Sequence, residues 1–381
     1  MDGVQRFLDW GRQHCLPLWL ERSWDSAQGG FVEGLSLQGE PQPQLDRRFR
    51  VQARQAFVLA SITHAGWDDR TGHLRDLMSW LEPRAYQQEG AGGWVHRLKP
   101  DGRVASPVRD LYDHAFILLA LAWAFRVTGE SRFKALADET LGFLDAEMAH
   151  PAGGYAEAIG ADTLPRRQNP HMHLFEALLA LHDATGEAAY LDRIRAIYHL
   201  FDTHFFDAGA GVVQEFFADD WSDLPDGRSA LCEPGHGCEW VWLLAQYDRV
   251  TGADTSAQAQ GLFETAMRVG INPATGLLHT TMTRSGEVID PGSRSWMQTE
   301  WIRAALVMQA RGHALAPAAL ERCISASERF HFGVERHGGW ADQVDATGQP
   351  VGELMPTSTL YHVVGALLEC ERSLSRVSAN I

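Results

Sequence analysis

Six copies of one short pattern recur along this chain at nearly equal spacing, and that periodicity limits the fold more than any other feature. The pattern is glycine, a large apolar residue, a small or apolar residue, then a polar one. It reads Gly30-Phe31-Val32-Glu33, Gly93-Trp94-Val95-His96, Gly154-Tyr155-Ala156-Glu157, Gly211-Val212-Val213-Gln214, Gly276-Leu277-Leu278-His279 and Gly339-Trp340-Ala341-Asp342. From glycine to glycine the steps are 63, 61, 57, 65 and 63 residues. One such tetrad carries no information. Six at this spacing make the chain an array of equivalent supersecondary units.

Between the tetrads the sequence reads as helix. Runs beginning at Phe49, Leu111, Pro170, Pro234, Trp296 and Thr359 are apolar on nearly every face, which predicts buried helices. Three of them close with Thr-Gly, at Gly129, Gly186 and Gly252, as expected where a helix stops on a left-handed residue. More amphipathic stretches follow, such as Ser131–Met148 and Ala188–Phe201. Six pairs of a buried and an amphipathic helix, with no polar capping repeat at either end, predict an all-α fold. It is an (α/α)6 barrel of six helical hairpins with short Gly-loop and strand insertions at one end, formed by residues 1–381 as a single domain. A linear helical solenoid is the competing arrangement.

In a barrel the starts of the six inner helices gather at one end. The polar residues there are Arg54, Tyr112, Asp113, His114, Asn169, His171, His173, Glu176, His236, Glu239, Gln298, Glu300, Tyr361 and His362. His114 and His171 each precede their closing glycine by 15 residues, and His173 and Glu239 by 13, so imidazoles and carboxylates recur at matched heights. Buried polar groups are costly unless paired, and a ring of them is expected to be the floor of a pocket. Trp94, Trp240, Trp296, Trp301 and Trp340 lie near the same end, where each is either core filler or a flat face for a sugar ring. His173/Glu176 and His236/Glu239 share the spacing used by di-iron bundles, but such sites need two further Glu residues and only Glu300 is at hand. No metal and no other cofactor is expected.

The formal net charge of −16 argues against a nucleic-acid partner and makes a phosphorylated ligand less attractive, unless a local basic pocket intervenes. No run of about 18 purely apolar residues predicts a membrane span, and no basic-then-apolar leader stands at the N-terminus. Five scattered cysteines without a CxxC fit a reducing cytoplasm. A homodimer is compatible with these features. Dinucleotide, P-loop and G-x-S-x-G motifs are absent from the sequence.

Several segments resemble the N-acylglucosamine 2-epimerase family: Val51-Gln52-Ala53-Arg54-Gln55, Leu111–Phe116, Asn169–Glu176, Glu233–Trp240, Gln298-Thr299-Glu300 and Tyr361-His362. The resemblance runs from the first repeat to the last and implies the same barrel. It further implies metal-independent chemistry at C2 of a free sugar, with His236 and His362 as acid/base histidines and Arg54 on the sugar oxygens. Tyr112, Asn169, His173 and Glu239 fall at substrate-contacting positions, and His114, Glu176, Trp296 and Glu300 are added here as lining candidates. The sequence departs from many relatives at Arg48-Phe49-Arg50, where an aromatic is common, and at Ser358. The expected activity is aldose–ketose isomerisation of a free monosaccharide, D-mannose to D-fructose, through a cis-enediolate. A sugar 2-epimerase is the near alternative, and an α/α-barrel glycoside hydrolase using Asp113 and Glu239 the distant one.

Overall fold

The protein is described by a computed structural model covering residues 2–334 and 337–379. In chain order its α-helices are α1 (Asp2–Trp10), α2 (Leu16–Arg22), α3 (Phe49–His64), α4 (Thr71–Ala85), α5 (Leu111–Thr128), α6 (Ser131–Phe143), α7 (Gln168–Thr185), α8 (Ala189–Leu200), α9 (Pro234–Thr251), α10 (Ser256–Val269), α11 (Ser295–Ala310), α12 (Ala316–Phe330) and α13 (Leu360–Ala379). The odd-numbered helices from α3 to α13 form the inner ring. Each packs on its inner neighbours, and α13 packs on α3 to close the circle. Helices α4, α6, α8, α10 and α12 cover α3, α5, α7, α9 and α11 in turn. The sixth cover comes from the N-terminus: α1 lies against α12 and α13. The fold is therefore an (α/α)6 barrel and not a solenoid.

The inner helices are buried because their sequences leave no polar stripe. Helix α5 has the length and hydropathy of a membrane span, but 72% of that window is buried inside the protein, packed between α3, α7 and α6. The Thr-Gly endings stop α5, α7 and α9 as expected. Gly129, Gly186 and Gly252 have φ of 67°, 72° and 74°, a conformation that costs any other residue.

The six loops carrying the tetrads join the ring at one end. The first amide of an inner helix donates to the carbonyl of the next loop: Phe49 to His96 (2.9 Å), Leu111 to Glu157 (2.9 Å), Gln168 to Glu215 (3.3 Å) and Ser295 to Asp342 (2.9 Å). Thr357, just before α13, donates to Glu33 in the first loop (3.0 Å), and Gly34–Ser36 pairs antiparallel with Leu354–Pro356. The last repeat is thus tied to the first. The strands are short, two or three residues each, in sheets of two or three strands.

These amides set a common height. Counting from them, with Pro234 opening α9 in the same place, the next residues are Arg50, Tyr112, Asn169, Gly235, Trp296 and Ser358. Five residues on come Arg54, Phe116, His173, Glu239, Glu300 and His362. Eight residues on come Phe57, Leu119, Glu176, Trp242, Arg303 and Gly365. Steps of four and three keep to one helix face, so these three layers look toward the barrel axis, and most of their members line a cavity at one end of it or the other.

Candidate active site

A cavity of about 220 Å³ opens at the loop end of the axis. Its walls include Arg54, Tyr112, Asn169, His173, His236, Glu239, Trp296 and His362. Glu300 lies directly beneath, fully buried. Glu176 lies one layer lower, among the residues that line a second cavity on the far side.

The two expected acid/base histidines are held alike. The His236 Nδ1 is 2.9 Å from Glu215 Oε1, and the His362 Nδ1 is 2.7 Å from Glu300 Oε1. Tying Nδ1 to a carboxylate leaves Nε2 for the cavity. Trp296 lies beside both, its ring centroid 4.9 Å from His236 and 5.4 Å from His362. Their charge states are pushed apart. Burial works against a charged His236, but Glu215 and Glu233 overcome it and raise it to about 10. Burial, then the positive charges of Arg54, His173 and Arg303, hold His362 well below the usual histidine range. The surroundings thus drive His236 toward its charged form and His362 toward its neutral one.

Below them lies a compact charge network. Arg303 Nη1 donates to Glu300 Oε2 at 2.7 Å and its Nη2 lies 3.8 Å from Glu176 Oε1. Glu176 also accepts from the Tyr361 hydroxyl and faces His173 Nδ1 at 3.3 Å. The Arg303 guanidinium stacks on Trp242, 3.7 Å from its centroid. Glu239 differs from its neighbours. Its two oxygens are buried and have no hydrogen-bond partner among the described residues. Burial first, then Glu300 and Glu176, hold it well above the usual carboxylate range. The Oδ1 of Asn169 is likewise buried without a donor. Both groups are free to meet the hydroxyls of a ligand. Glu239 shares trios of closely spaced ligand atoms with His173 and Glu176 and with Glu300 and His362. In both trios the other acidic member already faces Arg303, which supplies the positive charge there.

Arg54 reaches the cavity from the layer of His362. It donates to the Tyr112 hydroxyl (2.9 Å) and the Ser358 carbonyl (3.2 Å), over the Phe116 ring at 4.1 Å. Its Nε is buried without an acceptor. A buried guanidinium so placed favours developing negative charge on a ligand oxygen.

Two sequence expectations, those for His114 and Asp113, need correction. His114 does not line the cavity. Its Nδ1 meets the Asp110 carbonyl at 2.7 Å, and its Nε2 accepts from the Trp94 amide at 3.0 Å. His171 does the same for Tyr155, and Gln52 and Gln298 for Phe31 and Leu278. These side chains, three residues after the common amide, fasten each glycine loop to its own helix. Gly93 has a φ of 71°, and a Cβ there would lie 2.7 Å from the His114 Nε2. Of the five tryptophans near this end, Trp94, Trp240, Trp301 and Trp340 are wholly core, and Trp296 alone lines the cavity. Asp113 is also buried away from the cavity, bound to His96 at 2.7 Å. The two carboxylates that do line it, Glu233 and Glu239, belong to one helix and its cap, which is not the straddling pair that glycoside hydrolysis needs.

Glu215, the carboxylate that holds His236, is a residue of this site that sequence reading missed. Most tetrads end on a polar residue that reaches a helix start: Glu33 holds Arg48 and Glu157 holds Arg167, each on the helix its own loop is fastened to, and Asp342 faces Arg294 on the helix before. In the fourth copy the loop is one residue longer, so the equivalent position is Glu215 and not Gln214.

The sequence profile of the family described as N-acylglucosamine 2-epimerase (GlcNAc 2-epimerase) matches residues 29–366. A protein of Rhizobium meliloti (strain 1021) named mannose-6-phosphate isomerase is 36% identical, with 97% of this chain and 96% of that protein covered. A D-mannose isomerase of Thermobifida fusca is 29% identical over 58% of each chain. Among solved structures, cellobiose 2-epimerase from Bacillus thermoamylovorans B4167 superposes with a TM-score of 0.87 at 20% identity, covering 97% of this chain and 99% of that one. Both the profile match and the similarity to the Rhizobium protein extend over nearly the whole barrel, and the chain belongs to the N-acylglucosamine 2-epimerase family of sugar isomerases and epimerases.

Proposed function

We propose that this enzyme interconverts an aldose and its ketose, D-mannose and D-fructose in the simplest case, by moving a proton between C2 and C1. What supports the reading is the pair of buried histidines beside Trp296, each anchored through Nδ1 to a carboxylate and the two driven toward opposite protonation states. The neutral His362 Nε2 takes the proton from C2 of the open-chain sugar. The electron pair forms the C1–C2 double bond and charge moves onto O1, beside Arg54. His236, as imidazolium, supplies the proton that the enediolate oxygen needs. His236 then takes the O2 proton and His362 returns a proton to C1, which gives the ketose and restores both histidines. Acid/base help of this kind contributes about two to four orders of magnitude in rate. The cavity of about 220 Å³ is smaller than the roughly 300 Å³ at which pockets for drug-sized ligands begin, which favours one sugar ring over two. Protonation of C2 on its other face would give the 2-epimer with the same residues.

The test is NMR of the EDTA-treated protein with mannose in D2O. Fructose carrying deuterium at C1 is expected. Glucose formed at a comparable rate moves the assignment to a 2-epimerase. No exchange with any aldose overturns the acid/base roles of His236 and His362.

The Glu215 pairing has its own signature. The alkaline limb of kcat/KM belongs to His236, which must be protonated, and lies at about 10. Glu215→Gln removes the carboxylate that raises it and leaves burial, which lowers it. The limb then moves to lower pH, while the acid limb set by His362 stays in place. An alkaline limb that does not move means that Glu215 does not hold the His236 proton.

A further inference from the structure

The mouth of the cavity is lined by more positive charge than a neutral sugar needs. In a chain of net charge −16, four of the lining residues are arginines: Arg48, Arg50, Arg54 and Arg294. Among the described residues only Glu233 and Glu239 oppose them within the lining, and both are held above the usual carboxylate range, by burial first. Arg48 caps α3 and Arg294 caps α11, the two inner helices on either side of α13, so they flank Ser358 at the rim.

Each rim arginine has a carboxylate behind it but keeps donors in reserve. Arg48 spends Nε on Glu33 at 2.7 Å, and Arg294 spends Nη2 on Asp342 at 3.3 Å. Arg50 lies 3.4 Å from Asp113 through Nη1. A guanidinium carries five N–H donors, so most of each fork is uncommitted. The Nε of Arg294 is buried and finds no acceptor among the described residues. The side chains of Arg48 and Arg294 are 30% and 40% exposed, open to a ligand entering from solvent. The inner-helix N-termini around this mouth add their positive ends.

The vertical order fixes which end of a sugar these arginines meet. Arg48 and Arg294 stand six residues above Arg54 and Glu300 on their own helices, and His362 shares the height of those two. At the rise of an α-helix that is about 9 Å. An open-chain hexose with C1 and C2 at the histidines has C6 directed to the rim.

We propose that Arg48 and Arg294, helped by Arg50, form a phosphate subsite, and that the preferred substrate is an aldose carrying a phosphate ester on C6. Planar guanidinium forks suit a phosphate dianion in a way that no hydroxyl matches. The inference deepens the isomerase reading and rests on it for the placement of C1 and C2.

The test compares kcat/KM for mannose 6-phosphate and mannose in the native enzyme, Arg48→Gln and Arg294→Gln. The native enzyme is expected to favour the phosphosugar by roughly tenfold or more, and each substitution to reduce that ratio by about tenfold. Equal or better use of mannose by the native enzyme overturns the subsite, as does a ratio unchanged in both variants. If neither sugar turns over, the isomerase reading fails, and titration calorimetry decides the subsite separately. Binding of mannose 6-phosphate that is lost in both variants keeps it, and absence of binding to the native enzyme removes it.

Discussion

His362→Ala is expected to lower kcat by about two to four orders of magnitude while changing KM far less, because it removes the base and not the contacts that hold the sugar. Deuterium exchange at C2 should fall by the same factor. The buried Glu300 then loses its imidazole partner but keeps Arg303 at 2.7 Å, so the fold survives the substitution. His236→Ala is expected to be similarly damaging, through loss of the acid. The double variant should be little worse than either single one, since the two imidazoles serve one proton circuit. Exchange at C2 that continues at the native rate in His362→Ala would place the base elsewhere.

Arg303→Met is expected to be the most destabilising single change at the site. Arg303 is buried and balances Glu300 and Glu176, which are buried as well. Taking one partner out of such a set leaves an uncompensated interior charge, at a cost of about 3–5 kcal/mol. Methionine fills much of the space against Trp242, so the loss is electrostatic more than steric. The pH dependence checks this. Without Arg303 the folded-state carboxyls bind protons more tightly than in the unfolded chain, so the folded state takes up protons and gains stability as pH falls. The gap to the native protein in urea unfolding should therefore narrow on acidification. A constant gap would assign the effect to packing.

Much of this was legible in the amino-acid order. Helices apolar on every side must be buried, and six of them at a regular period make either a closed ring or an open array. Arg54, His173, Glu239, Glu300 and His362 were found because a polar residue in such a helix stands out, and five of the six positions at that height are polar. The same signal misplaced His114. A polar residue three positions after the common amide faces its own glycine loop, and one at five positions faces the axis. Glu215 was hidden by one extra residue in a loop, which only the backbone hydrogen bonds reveal.

Sequence alone determined the repeat, the six buried helices and the layer of helix in which the polar residues sit, because local periodicity dictates which faces are buried; the packing of α13 on α3 decided for a closed barrel over an open solenoid. The tertiary structure decided which of those polar residues meet. It drove His236 and His362 in opposite directions, since the first depends on a carboxylate 21 residues away, the second on the charges of Arg54, His173 and Arg303, and both on burial that no local pattern records. It also gathered Arg48, Arg50 and Arg294 at one mouth. Charge acts through space, and no local pattern along the chain says that these arginines meet.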